Sequence, residues 1–440
     1  MSKKTFSFIS LGCAKNLVDS EEVIGGLQKQ GYQLNAEIDS SAFVIINTCA
    51  FLEEARLEAL NTIKEMVKIK SSKDSKLEKI IVIGCIAQYF DAKEIKEFVP
   101  EIDLVVPVKE NRTIPFLIEK MLFPKKDLSS FNLQKNRFLT RPPHSVYIKI
   151  SDGCNNRCSY CLIPSLRGKL RSKSIEDILD EVRAVQRIGA KEINLIAQDT
   201  TAYGLDLYGK YMIVALLERL SSVKGIEWIR LLYTHPAHIT DDLLKTIQHE
   251  PKICNYIDLP IQHISNKILR LMGRNTSKEE ITALYEKMKE TIPGIKLRTT
   301  VMVGYPGEGE QEFNELLTFL EKYPFERLGA FSFSAEKGSA AFEQGQKVDS
   351  QTVSQRLNKV MEKQKSISRN CNRLLLGKGE TVLLDSYDYN RGKAYGRLFS
   401  QAPEVDGRVI INNISGVSPG DFLHVKITAI GAYDLIGTSI

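Results

Sequence analysis

No apolar run in this 440-residue chain approaches the roughly 18 residues that a membrane-crossing helix needs, so a helical membrane protein is not expected. The opening residues, MSKKTFSFIS, also lack the long apolar segment and cleavage site of a secretory leader. A cytoplasmic protein with no membrane partner is expected. Internal repeats and low-complexity tracts are missing as well, so no repeat architecture is expected. There is no large charge excess: the net charge of +6 is modest for the length, and much of it is local. Between Pro124 and Lys149, the bases Lys125, Lys126, Lys135, Arg137, Arg141 and Lys149 face a single acid, Asp127. Arg167, Lys169, Arg171 and Lys173 follow soon after. Such a stretch suits either an anionic partner or an ordinary solvated loop.

What is present is unusual mainly in its sulfur. At 440 residues, 43% hydrophobic and 26% charged, the chain has the composition of a globular protein of two to four domains. Its eight cysteines are Cys13, Cys49, Cys85, Cys154, Cys158, Cys161, Cys254 and Cys371. In a reducing compartment, clustered thiols point to metal binding or catalysis rather than to disulfides.

The first 120 or so residues alternate strand and helix patterns. FSFISLGC, AFVIINTC and KIIVIGC are short β-rich runs, and each ends on a cysteine. SEEVIGGLQKQ, FLEEARLEALNTIKEMVKIK and DAKEIKEFV carry helical periodicity between them. That alternation predicts an open parallel α/β domain, residues 1–124, with Cys13, Cys49 and Cys85 at the carboxyl edge of the sheet, where ligands gather. One buried cysteine would mean little, but three at the same topological point indicate a shared site.

The polar segment 125–144, ending in RPPH, reads as a linker. In residues 145–370, six strand patterns (SVYIKIS, KEINLIAQ, IEWIRLLY, NYIDLPIQ, KLRTTVMVG and RLGAFSFS) alternate with helical ones. A partial (β/α)6 barrel follows, with its site at the carboxyl-end loops. Residues 371–440 change texture to ETVLLDSY, KAYGRLF, GRVIINN and DFLHVKITAI, short strands between turn residues. They predict a small antiparallel β-barrel of the OB-like kind.

Cys154, Cys158 and Cys161 stand in GCNNRCSYC, directly after the first barrel strand. A structural zinc site needs four ligands, and no Cys or His follows Cys161 at short range; His235 and His238 come next. A 4Fe-4S cluster on three thiolates suits the spacing better, because it leaves one iron open to chelate S-adenosylmethionine. Reductive cleavage of that cofactor yields a radical able to take hydrogen from an unactivated carbon. Tyr160 fits either the aromatic beside the cofactor's adenine or a core position. Gln198 and Asp199 end the second barrel strand and suit either cofactor contact or loop capping. His235 and His263 lie at strand ends facing the same mouth, as substrate contacts or structural histidines, and Cys254 and Cys371 are read as non-ligands.

CxxxCxxC behind a second tri-cysteine set resembles the methylthiotransferase family of radical S-adenosylmethionine enzymes, over essentially the whole chain. The resemblance implies a three-cysteine amino-terminal domain, a radical S-adenosylmethionine barrel and a terminal TRAM barrel. It implies two 4Fe-4S clusters, one on Cys13, Cys49 and Cys85 and one on Cys154, Cys158 and Cys161. SLGCAKNLVDSEE, KISDGCNNRCSYCLIPSLRGKLRS and YIDLPIQHIS resemble the branch that methylthiolates an aspartate β-carbon in the twelfth protein of the small ribosomal subunit. The other branch modifies adenosine in transfer RNA and usually begins GCQMN, unlike GCAKN here. Ala14, Asp152 and Gly309 depart from the branch's usual proline, glutamate and threonine, and none is a ligand position. The family also implies electron-donor and sulfur-donor partners. Residues 372–440 hold seven bases and seven acids, and a neutral barrel suits a protein substrate better than RNA.

Overall fold

A computed structural model describes residues 4–128, 131, 136–345, 347–412 and 414–440. Outside it fall residues 1–3, Lys135 and residues 129–130 and 132–134 of the expected linker, Gln346, and Asn413 at the end of GRVIINN. The chain divides into two compact units. The first is Met1–Arg141 with Gly153–Asn156 and Cys161–Lys169; the second is Pro142–Asp152, Arg157–Tyr160 and Leu170–Ile440.

In the first unit, β1 (Thr5–Ser10), β2 (Gln33–Leu34), β3 (Phe43–Thr48), β4 (Lys79–Gly84) and β5 (Leu104–Pro107) form one sheet in the order β2-β1-β3-β4-β5. Every pairing is parallel, as expected from the βα alternation. All of β3, FVIINT, is buried, because helices cover both faces of a parallel sheet. Its alternate residues serve two cores: Phe43 and Ile45 meet Ile24, Leu27 and Ile118, while Val44 and Ile46 meet Ile63, Ile86, Leu162 and Leu166. The segment after the third cysteine of GCNNRCSYC is thus part of the amino-terminal unit's core.

The first helix, Ala14–Lys29, starts six residues before the expected SEEVIGGLQKQ pattern. Its first turns bury polar residues, Asn16, Asp19, Ser20 and Glu21, and so carry no apolar stripe to read. These side chains bond to the sheet edge and the chain beyond: Asn16 Nδ2 donates to the carbonyls of Leu11 at 2.9 Å and Thr48 at 3.0 Å. Glu21 anchors part of the expected linker. Its carboxylate accepts from Arg137 Nη2 at 2.6 Å and Nε at 2.9 Å, and from the Thr140 amide and hydroxyl, each at 2.9 Å.

In the second unit, β6 (Ser145–Lys149), β9 (Glu192–Ile196), β10 (Trp228–Leu231), β11 (Ile253–Asp258), β12 (Lys296–Val303) and β13 (Arg327–Ser332) are the six expected parallel strands, side by side in chain order. A short ribbon not foreseen, β7 (Ser151–Asp152) with β8 (Arg171–Ser172), lies at the base of the cysteine loop. The helix Ser350–Arg373 leads to β14 (Gly379–Asp388), β15 (Lys393–Leu398), β16 (Val409–Asn412), β17 (Phe422–Ile430) and β18 (Leu435–Ser439), a closed barrel in the order β14-β15-β16-β18-β17. β18, LIGTS, closes it by pairing parallel to β16, and its short glycine-broken pattern gave no strand signal.

The terminal barrel is joined to the parallel sheet by buried charge. Glu192 is fully buried at the start of β9, and Arg230 Nη2 at 2.8 Å and Arg397 Nη2 at 2.7 Å grip its two oxygens. Asp406 accepts from Tyr256 Oη at 2.8 Å and Arg298 Nη1 at 2.9 Å, and Tyr147 Oη donates to the Pro403 carbonyl at 3.4 Å. The loop between β15 and β16 therefore packs on residues of β6, β11 and β12.

Candidate cluster and cofactor sites

In the amino-terminal sheet the strand order reverses between β1 and β3, the switch point at which ligands bind in open α/β folds. Cys13 and Cys49 follow those two strands, and Cys85 follows the adjacent β4. The structure brings all three to one edge. Glycine makes this possible twice, since Gly12 and Gly84 immediately precede cysteines and have φ of +94° and +93°. A Cβ on Gly12 would lie 2.8 Å from Cys49 Cβ; one on Gly84 would lie 2.3 Å from Asn47 Oδ1 and 2.7 Å from the Thr48 carbonyl.

Burial raises the Cys49 thiol, and the nearby Cys13 adds to the effect. Burial pushes Cys85 up to about 12; Cys49 and Cys13 reinforce it, while Arg167 opposes it. The three sulfurs therefore feel one another, and such a set ionises readily only with positive charge at its centre. That sulfur-rich donor set fits an iron–sulfur cluster. Arg167 is the missed residue here. It is 2% exposed, and its Nη2 donates to Asn16 Oδ1 at 2.6 Å and Asp19 Oδ2 at 3.0 Å. In the sequence it was one base of a basic loop; only the fold puts it beside Cys49 and Cys85.

The loop GCNNRCSYC is held in two stretches. In the first unit, Gly153 has φ +78° and a Cβ there would lie 2.1 Å from the Lys169 carbonyl; the Cys154 amide donates to the Gly168 carbonyl at 3.1 Å. The Asn156 and Ile163 amides point at Cys154 Sγ and Cys161 Sγ, each at 3.4 Å. In the second unit, the Ser159 amide donates to the Met272 carbonyl at 2.9 Å, and Ser159 Oγ lies 2.7 Å from Tyr305 Oη. Tyr160 packs half-buried against Ile268, Met272 and Tyr305.

At the carboxyl end of β9, Gln198 Nε2 donates to Asp152 Oδ1 at 3.1 Å. Asp199 is buried and already engaged: Oδ1 accepts from Thr201 Oγ1 at 2.6 Å and the Ala202 amide at 3.2 Å, and Oδ2 lies 2.8 Å from His238 Nδ1. His238 is the group that most strongly opposes burial there, and the Asp199 carboxyl is held at about 2. His235 Nδ1 accepts from the Ala237 amide at 3.2 Å, and burial with the nearby Arg274 holds this imidazole neutral, at about 3. Ligand atoms of Asp199, His235 and His238 lie within 4.8 Å of one another. His263 is fully buried, its Nδ1 accepting from the Ser265 amide at 3.0 Å, which gives it a structural place. Cys254 is buried within β11, its thiol pushed up to about 11.

The chain matches the Radical SAM superfamily over residues 148–320, the Uncharacterized protein family UPF0004 over residues 5–107 and the TRAM domain over residues 376–440. A protein from Clostridium acetobutylicum, named ribosomal protein uS12 methylthiotransferase RimO, is 42% identical over 99% of this chain and 98% of its own length. A protein of the same name from Acetivibrio thermocellus is 40% identical over 100% of this chain and 99% of its own. Among solved structures, the radical S-adenosylmethionine methyltransferase TsrM from Kitasatospora setae shares the fold with a TM-score of 0.55 at 12% identity, over 74% of this chain and 72% of that one.

Proposed function

The chain belongs to the family of ribosomal protein uS12 methylthiotransferases, and from that premise we propose that it methylthiolates the β-carbon of an aspartate in the twelfth protein of the small ribosomal subunit. The observation that carries the reading is the pairing of CxxxCxxC with a second trio, Cys13, Cys49 and Cys85, at the carboxyl edge of a separate parallel sheet.

In this reading Cys154, Cys158 and Cys161 hold one 4Fe-4S cluster and Cys13, Cys49 and Cys85 hold a second. With S-adenosylmethionine bound, the first cluster would supply the electron for reductive cleavage of that cofactor, the chemistry needed at a carbon that is barely acidic and has no leaving group. The protein's own residues orient and enclose. The Asn156 and Ile163 amides direct N–H toward the Cys154 and Cys161 sulfurs and so help to fix their positions. Arg167 places positive charge near Cys49 and Cys85. Tyr160, Gln198 and Asp199 are the proposed cofactor contacts, Asp199 acting mainly by fixing His238. The working divisions are 1–124, 125–144, 145–370 and 371–440. Electron-donor and sulfur-donor proteins complete the system, in the cytoplasm; among the described residues no helix is long and apolar enough to cross a membrane.

The RNA-modifying alternative is disfavoured by where the basic residues point. Arg397 is buried against Glu192 and Asp385, Arg408 lies over the Tyr395 ring at 4.5 Å, and Arg137 is paired with Glu21. Reconstituted enzyme with reductant, sulfide and S-adenosylmethionine should add a methylthio group to the ribosomal protein, read by mass spectrometry. A mass gain on transfer RNA and none on the protein would reverse the assignment.

A further inference from the structure

The amino-terminal unit keeps a buried ion pair beside its three thiols. Arg167 and Asp19 are each 2% exposed, and Arg167 Nη2 lies 3.0 Å from Asp19 Oδ2. Taking two charges out of water is so unfavourable that a well-packed apolar pair of the same size is often as stable or more so. Stability alone is therefore a weak reason for charge at this place. The helix Ile163–Arg167 docks by apolar means in any case: Leu162 and Leu166 share a core with Ala50, Cys85, Ile86 and Ala87.

The guanidinium reaches the thiols through one side chain. Its Nη2 donates to Asn16 Oδ1 at 2.6 Å, and Asn16, itself buried, uses its Nδ2 to bond the carbonyls of Leu11 and Thr48 at 2.9 and 3.0 Å. Those carbonyls stand just before Cys13 and Cys49 in the chain. Gly12 shows how near the sulfur comes: a Cβ there would lie 3.0 Å from Asn16 Nδ2 and 3.4 Å from Cys49 Sγ. Asn47, on β3, fixes the helix that carries Asn16, its Nδ2 donating to the Asn16 carbonyl and to Ser20 Oγ, each at 2.9 Å. The cation is thus held one amide away from the cysteine edge, where water screens it little. Its charge acts in favour of thiolate at both Cys49 and Cys85, and Asp19 acts against it at Cys85.

Reducing an iron–sulfur cluster adds an electron to a group already surrounded by thiolates, so its potential follows the net charge and burial around it. A buried cation nearby favours the reduced form, and a buried anion disfavours it. We infer that Arg167 sets the reduction potential of the cluster on Cys13, Cys49 and Cys85, raising it from its buried place against Asn16, and that Asp19 offsets part of the rise. This role rests on the proposed assignment of a 4Fe-4S cluster to those three cysteines. Although Cys161 begins the same stretch of chain, the guanidinium is turned to Asn16 and Asp19 on the helix Ala14–Lys29, so the larger shift belongs to the amino-terminal cluster.

The test uses the full-length chain carrying Cys154→Ala, Cys158→Ala and Cys161→Ala, reconstituted with iron and sulfide so that only the amino-terminal cluster forms. The protein is titrated through a graded series of potentials, with the reduced cluster read by electron paramagnetic resonance. Arg167→Gln should lower the potential and Asp19→Asn should raise it. Each shift should amount to about a tenfold change in the ratio of reduced to oxidised cluster at a fixed poise, about 59 mV for one electron. Arg167→Lys, which keeps the charge, should stay closer to wild type than Arg167→Gln. The double variant of Arg167→Gln and Asp19→Asn, which removes both charges, should fall between the two single variants. Opposite signs are the signature of charge, because damage to packing does not follow the sign of the side chain removed. Should Arg167→Gln fail to retain iron, the other two still decide: Asp19→Asn must lie above wild type and the double variant below Asp19→Asn. The same substitutions in a chain carrying Cys13→Ala, Cys49→Ala and Cys85→Ala should move the remaining cluster less. Unmoved potentials in iron-loaded protein, single variants shifted in the same direction, or an equal shift at the other cluster would overturn the role of Arg167. Failure of the starting protein to bind iron would defeat the cluster assignment itself, and the role with it, so the two failures are distinguishable.

Discussion

At the scale of single residues, His235 shows how burial sets a charge state. Its imidazole is buried, and the Arg274 and His238 charges act against its protonation while Asp199 favours it. Its value in the fold is about 3, whereas in the unfolded chain it is 6.5. Between those limits the unfolded chain binds a proton that the folded chain does not, so stability falls as pH drops below about 6.5. The slope from this one residue approaches about 1.4 kcal/mol per pH unit. His235→Gln should therefore flatten the pH dependence of urea unfolding between pH 6 and pH 4. An unchanged slope would assign the acid sensitivity to other groups.

At the scale of elements, the recurring device is a left-handed glycine directly before a cysteine: Gly12–Cys13, Gly84–Cys85 and Gly153–Cys154. Each turns the chain sharply at the end of a strand or ribbon, and each is too close to neighbouring atoms to accept a Cβ. Gly84→Ala and Gly153→Ala should each lower the iron bound per chain after reconstitution, measured by iron and sulfide analysis. Gly209→Asn, at φ +69° with nothing within 4 Å, should leave iron content unchanged. If all three substitutions lower iron equally, the close approach at the cysteines is not what matters.

At the scale of the whole molecule, Glu192 decides whether the terminal barrel stays on the parallel sheet. It accepts from Ser145, Arg230 and Arg397, and its carboxyl is held at about 2 despite burial, mainly by the two arginines. Replacing it by Gln leaves two buried guanidinium groups short of charge, which costs about 3–5 kcal/mol. Glu192→Gln should therefore lower the urea midpoint and expose residues 399–406 to proteolysis. That stabilisation is fully present above about pH 4.5 and is lost as pH falls toward 2, so the gap between variant and wild type should narrow in acid. Arg397, buried against Glu192 and Asp385, is not available to an anionic partner.

What the sequence by itself determined is the local and periodic part. Alternating apolar patterns defined the strands and most helices, and the spacing of Cys154, Cys158 and Cys161 within one loop required no tertiary knowledge. The convergence of Cys13, Cys49 and Cys85 was also legible, because each ends a strand of a parallel sheet and all such ends share one edge. Tertiary structure alone decided the rest: the helix beginning at Ala14 behind buried polar residues, the closing strand Leu435–Ser439, and the core position of Leu162 and Leu166. It also decided which of many basic residues matter. Arg137, Arg167 and Arg397 are chemically alike in the sequence. Their pairing depends on side chains that are distant along the chain, and only packing chooses which cation meets which anion.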